Sequence, residues 1–215
     1  MQGFNGYCRL GLGDQKDRLA PVAVGQFAKA NVALRAQTVS CGPANTTVVD
    51  RMGIYYIAGR WKTTGDGGGG SPYTTYKYLQ EMGSCKVFKT ASGGAGHFAL
   101  AEDHADKSLT LAIAFGQGTL HSELGLGEGL PKASTKPIKI EPLDGLALID
   151  VAAGQGTTLF LCRPSDAYAE LPRHEQLETA DECFVCQQAD DQPGLVCDVR
   201  PDDPATASAR FRHFS

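Results

Sequence analysis

Glu123-Leu124-Gly125-Leu126-Gly127 is followed about two dozen residues later by Val151-Ala152-Ala153-Gly154-Gln155-Gly156-Thr157-Thr158-Leu159-Phe160-Leu161. Both halves occur once before, because Arg9-Leu10-Gly11-Leu12-Gly13 precedes Val39-Ser40-Cys41-Gly42-Pro43-Ala44-Asn45-Thr46-Thr47-Val48-Val49. Gly11 and Gly125 are 114 residues apart, and Gly42 and Gly154 are 112 apart. A degenerate copy, Ala91-Ser92-Gly93-Gly94-Ala95-Gly96-His97-Phe98-Ala99-Leu100, lies between them, with Gly93 51 residues after Gly42 and 61 before Gly154. The unit therefore recurs about every 57 residues, a period that belongs to solenoids, propellers and arrays.

Working outward from these copies, Gly3, Gly59 and Gly116 are equivalent by spacing, at intervals of 56 and 57 residues. An apolar strand precedes Gly59 (residues 54–58) and Gly116 (109–115), but none precedes Gly3. Residues 39–49 and 54–58 flank Asp50-Arg51-Met52-Gly53, which reads as a hairpin. The second unit replaces the Leu-Gly-Leu-Gly turn by Gly65-Asp66-Gly67-Gly68-Gly69-Gly70-Ser71-Pro72, read as a flexible loop. It is not a phosphate-binding loop, which needs Lys and then Ser or Thr after its last glycine. Residues 73–79 are Tyr-rich and strand-like, and residues 87–100 and 109–115 form a second hairpin. Its loop, Glu102-Asp103-His104-Ala105-Asp106-Lys107, is a solvated tip without the ligand spacing of a calcium loop. The third unit takes in strands at 136–140, 148–151 and 159–161 and then breaks off at Arg163-Pro164-Ser165-Asp166, the start of a connector reaching Glu182.

About four short strands per unit, glycine turns and no helical periodicity of useful length indicate an all-β chain of propeller blades. The Leu-Gly-Leu-Gly turns, the Ser-Cys-Gly or Ala-Ala-Gly leads into Thr-Thr-Val-Val or Thr-Thr-Leu-Phe-Leu, and the glycine after each apolar strand resemble the regulator of chromosome condensation repeat. Over residues 3–162 their order is most similar to the C-terminal blades of a Rac-associated mitotic-type member of that family. The resemblance implies a seven-bladed ring, of which this chain holds about three blades, an incomplete ring. The expected organisation is a partial β-propeller over 1–162, a linker over 163–182, and an irregular cysteine-containing tail over 183–215. The missing strands before Gly3 and after Cys162 would leave apolar edges unpaired, the expectation for a piece of a longer protein.

Cys183-Phe184-Val185-Cys186 and Cys197 have the opening and roughly the second-knuckle spacing of a cross-braced zinc finger. The approach Asp190-Asp191-Gln192-Pro193-Gly194-Leu195-Val196-Cys197 resembles that of a PHD finger, which would place a fourth Cys where Arg200 stands. The tail is thus read first as an inert remnant of such a finger followed by a disordered end, with Cys183, Cys186 and Cys197 as the candidate ligands should it hold zinc. Cys8, Cys41, Cys85 and Cys162 lie at or beside strand motifs and are read as small buried hydrophobes.

A net charge of −4 disfavours direct binding to nucleic-acid backbones. The N-terminus lacks a basic, then apolar, secretory pattern, and no apolar run approaches the ~20 residues that span a bilayer, so a nuclear or cytoplasmic location and no membrane are expected. No nucleophile elbow or metalloprotease motif occurs, and Gly11-Leu12-Gly13-Asp14-Gln15-Lys16 misses the dinucleotide pattern. His97 is expected to be a structural histidine and Trp61 a packing aromatic rather than a rim contact. The expected function is that of a non-catalytic interaction scaffold. The resemblance implies protein partners of two kinds, Ran- or Rac-type small GTPases and chromatin proteins, and guanine-nucleotide exchange in some full-length members. The alternative is a chromatin reader that uses the cysteine tail. A hydrolase or metal enzyme built on 102–106 is the remaining and weakest reading.

Overall fold

A computed structural model describes residues 1–171, apart from 29, 31, 103–106, 108, 118 and 121. Strands β1 (Ala36–Cys41), β2 (Asn45–Asp50), β3 (Tyr55–Gly59) and β4 (Tyr73–Tyr78) form an antiparallel sheet in chain order. Strands β5 (Lys86–Gly93), β6 (Gly96–Glu102), β7 (Thr110–Gly116) and β8 (Ser134–Lys139) repeat it. Strands β9 (Leu148–Ala153) and β10 (Thr158–Cys162) pair as a third, two-stranded sheet. This is the all-β, blade-like architecture expected, with two four-stranded blades and a third of two strands among the described residues.

Two runs read as single strands are each two. The 39–49 run turns at Gly42-Pro43-Ala44, where the Gly42 N–H donates to Asn45 O at 3.0 Å and Pro43 has no N–H for a ladder. The 87–100 run turns between β5 and β6. The Asp50–Gly53 hairpin forms as expected. The buried Asp50 carboxylate accepts the N–H groups of Met52 and Ile54 at 2.9 and 3.0 Å, so it supplies the turn with the acceptor that the backbone lacks.

The hydrophobic core lies between the sheets. One cluster joins Val49, Tyr55 and Ile57 of the first sheet to Val87, Ala99, Ile113 and Phe115 of the second. A second joins Phe98, Leu100, Ala112 and Ala114 to Leu148 and Val151 of the third. A third lies on the first sheet, where Val24 and Phe27 of the N-terminal segment cover Val48, Ala58 and Tyr76. Val49, Tyr55, Ile57, Val87 and Phe115 are almost fully buried by this stacking, and burying such a side chain contributes about 1.5–3 kcal/mol.

The stretch expected to be a linker from residue 163 begins packed. The Arg163 N–H donates to Ala147 O at 3.0 Å, Ser165 caps the short helix α1 (Asp166–Ala169), and Ala167 and Leu171 join the second cluster. The compact unit accordingly runs Met1–Leu171. Residues 172–215 lie outside the described residues.

Gly59 ends β3 at φ +88°, and a Cβ there would stand 2.4 Å from Ala44 O and 2.9 Å from the Asn45 Cα. Gly116 ends β7 without a positive φ but at an equally close approach, with Ala95 O 2.2 Å from its hypothetical Cβ, so the lack of room for a side chain is what the two positions share. Gly59→Ala is expected to lower the unfolding free energy by about 2–4 kcal/mol, from left-handed strain plus backbone displacement. Gly70→Ala, with open space around it, is expected to change it by less than ~0.5 kcal/mol. Chemical denaturation of the two variants measures the contrast, and equal midpoints would refute the close-approach account.

Candidate interaction surface

The β1–β2, β5–β6 and β9–β10 turns gather at one end of the sheets, together with the ends of β3 and β7 and the N-terminal loop. That loop is built around Asn5, a fully buried polar side chain. Its Oδ1 accepts the Leu10 N–H at 2.9 Å, its Nδ2 donates to Asp14 O at 2.8 Å, and its backbone N–H donates to the Asp17 carboxylate at 2.8 Å. Arg18 pairs with Asp14 at 2.7 Å, and its hydrogen bond holds that carboxyl below the usual carboxylate range. Asn5 carries no sequence signal that separates it from a surface asparagine, and it escaped the sequence reading.

The two Leu-Gly-Leu-Gly copies adopt the same backbone. Gly11 and Gly13 have φ of +64° and +87°, and Gly125 and Gly127 have +66° and +114°, a region that side chains resist. Each turn is held to the following sheet by a threonine hydroxyl. Thr46 Oγ1 donates to Arg9 O at 2.8 Å, and Thr158 Oγ1 donates to Glu123 O at 3.0 Å. These threonines stand four residues after Gly42 and Gly154, so the repeated sequence encodes a repeated hydrogen bond.

In the middle copy the residue four after Gly93 is His97. It is 1% exposed, its ring lies 5.0 Å from that of Phe115, and its Nδ1 is 3.1 Å from Ser92 Oγ. Ser92 Oγ reaches Thr47 Oγ1 at 3.3 Å, and Thr47 Oγ1 reaches Thr90 Oγ1 at 2.9 Å, so a buried chain of hydroxyls spans the first and second sheets. Burial pushes the His97 pKa from 6.5 down to about 4. The folded state thus holds His97 neutral where the unfolded chain takes up a proton. Its contribution to stability is complete above about pH 6.5 and is lost as the pH falls toward 4, by about 3 kcal/mol in all. Unfolding measured from pH 7 to 4 should show this loss, and His97→Gln should remove most of the slope in that window.

Trp61 is a packing residue, as expected. Its ring meets Phe115 edge-on at 5.7 Å inside the cluster between the first two sheets. The glycine loop after it is not the flexible segment that its composition suggests. The N–H groups of Trp61 and Lys62 donate to Gly67 O, Gly67 N–H donates to Ser71 O at 2.7 Å, and Gly69 N–H donates to Thr63 O at 3.1 Å. Gly67 lies directly against the indole, where a side chain would displace the ring, so the glycines allow the loop to fold onto Trp61. The Thr63 N–H and hydroxyl both donate to Gln117 Oε1, at 2.6 and 2.9 Å, and tie this loop to the next sheet.

The cysteines do not behave alike. Cys8 is buried, where desolvation raises its thiol pKa, Cys85 and Cys162 are half-buried, and Cys41 is exposed because one face of β1 is open. No cluster of three or more metal-ligating side chains occurs among the described residues. The candidate zinc ligands Cys183, Cys186 and Cys197 lie outside those residues, as does most of the acidic loop at 102–106. Glu102 itself pairs with Lys86 at 2.8 Å. Among the described residues no helix is long and apolar enough to cross a membrane.

Residues 2–49 match the family model of the regulator of chromosome condensation (RCC1) repeat. The chain is 29% identical over 163 residues to Protein RCC2 homolog of Danio rerio, covering 75% of this chain and 30% of that protein. It is 27% identical over 162 residues to Protein RCC2 of Homo sapiens, covering 75% and 28%. It thus spans about three tenths of the length of these curated relatives. Among solved structures, yeast RCC1 (Prp20) bound to Kap60 superposes with a TM-score of 0.55 at 19% identity, over 75% of this chain and 37% of that one. Prp20p of Saccharomyces cerevisiae, described with its binding properties to Gsp1p and histones, gives 0.53 at 16% identity over 79% and 40%. Human WBSCR16 gives 0.54 at 15% identity over 75% and 39%. At such identities the structural likeness speaks for the fold. The repeated turns, their threonine hydrogen bonds and the stacked antiparallel sheets agree with the match of residues 2–49 to the RCC1 repeat, and the chain is similar in sequence to the RCC2 proteins and in fold to the β-propellers of that family.

Proposed function

We propose that the chain is a non-catalytic protein-interaction scaffold that binds a Ran- or Rac-type small GTPase or a chromatin protein, acting in the nucleus or cytoplasm. The observation that carries this reading is the rigid end of the stacked sheets, where loops from different repeats are locked by Asn5, Thr46, Thr158 and the Thr63–Gln117 bonds. Loops held on a stiff scaffold lose little entropy when a partner docks. The binding of Gsp1p and histones by Prp20p supports the choice of partner class. Guanine-nucleotide exchange is a finer version of the same proposal, in which docked loops would lower nucleotide affinity by wedging alone.

The test is capture of purified GTPases, in GDP, GTP and nucleotide-free states, and of histone octamers by the immobilised full chain. Saturable binding to at least one is expected, and none at micromolar concentrations would overturn the proposal. Stimulated release of labelled GDP measures exchange in the same samples.

A second reading, a chromatin reader, rests on Cys183, Cys186 and Cys197, whose thiolates would supply three of the four donors of a tetrahedral zinc site. About one zinc per purified chain, lost with Cys183→Ser, is its expected signature.

A further inference from the structure

Two arginines at this end of the molecule are parked on aromatic rings. The Arg60 guanidinium lies 3.9 Å from the centroid of Tyr7, and that of Arg9 lies 4.7 Å from the centroid of Phe4. The backbone brings the pairs together. Gly59 lets Arg9 approach the end of β3, Arg60 N–H donates to Ala44 O at 2.8 Å, and Arg9 Nη1 donates to the adjacent Pro43 O. Phe4 and Tyr7 remain 63% and 37% exposed. Tyr7 and Cys8 both have positive φ, at 57° and 58°, and this unusual backbone is stabilised by the Asn5 network on either side of it.

Charge is unbalanced here. Among the described residues neither Arg9 nor Arg60 meets a carboxylate, although the chain is acidic overall. The nearby acids are already engaged, Asp14 by Arg18 and Asn5, and Asp17 by the Asn5 N–H. Arg9 spends donors on Gly6 O and Pro43 O, whereas Arg60 makes no side-chain hydrogen bond among the described residues. A guanidinium with one face stacked and no hydrogen bond on its N–H edge, as at the partly exposed Arg60, is a preorganised receptor for a carboxylate. Exposed aromatic rings and arginines on a rigid loop are also the composition of interface hot spots.

We propose that Phe4, Tyr7, Arg9 and Arg60 form a docking patch for an acidic segment of a protein partner, with Arg60 taking a carboxylate and Phe4 and Tyr7 packing beside it. This deepens the scaffold reading and rests on it, but the test needs no GTPase or histone, so the two can fail separately.

The experiment measures fluorescence anisotropy of a labelled octapeptide of alternating Glu and Asp, titrated with the full chain. The Gln/Asn counterpart and a labelled oligothymidylate serve as comparisons. The acidic peptide should bind in a salt-sensitive way and the neutral one should not. Arg60→Gln and Tyr7→Asn, the latter suited to positive φ, should each weaken binding about fivefold or more. Lys77→Gln, on β4, should leave it unchanged, and thermal unfolding of each variant verifies its fold. Absence of acidic-peptide binding, equal losses in all three variants, or tighter binding of the oligonucleotide would overturn the proposal.

Discussion

Phe115 is where the first two sheets become one structure. Its ring is fully buried on β7, edge-on to Tyr55 and Trp61 of the first blade at 6.0 and 5.7 Å, and tilted against His97 of its own sheet. A single strand or hairpin in this chain has too little apolar surface to be stable alone. Every blade therefore depends on the face of its neighbour, and the order of clusters along the chain follows the order of sheets. The same dependence reaches the N-terminal segment, whose Phe27 packs edge-on to Tyr56 and Tyr76.

Once the sheets are stacked, polar groups at their ends must be satisfied without water. Threonine hydroxyls do this for Arg9 O and Glu123 O, Asn5 for the N-terminal loop, and the hydroxyl chain from Thr90 to His97 for the interface itself. Because the threonine bonds and the Thr47–Thr90 contact join segments far apart in the chain, satisfying these polar groups also fixes the loops relative to one another. That rigidity places Arg60 over Tyr7 and gives an acidic chain one locally basic, aromatic corner.

Much of the architecture was legible in the sequence because its carriers are local. A glycine that needs positive φ, a hairpin closed by Asp50 and a strand rich in β-branched residues each declare themselves within a few positions. The splitting of 39–49 and 87–100 into two strands was written in the sequence as Gly42-Pro43 and Gly93-Gly94, turn residues that the repeat reading absorbed into its strand motif. Composition also misled at Gly65–Ser71, where glycine content suggested flexibility but close contact with Trp61 was the reason for it. The cysteines were misjudged as a class because burial belongs to a strand's position in the stack, and β1 leaves Cys41 facing outward.

By itself the sequence determined the period, the strand and turn chemistry, the all-β class and the resemblance to a known repeat, because repetition and glycine placement survive without knowledge of contacts. Only the tertiary structure decided which residues meet. Thr46 finds Arg9 across 37 positions, Thr63 finds Gln117 across 54, and Arg60 comes to lie over Tyr7 from another repeat. Such encounters follow from how twisted sheets stack face to face, a long-range packing outcome to which no local pattern is sensitive.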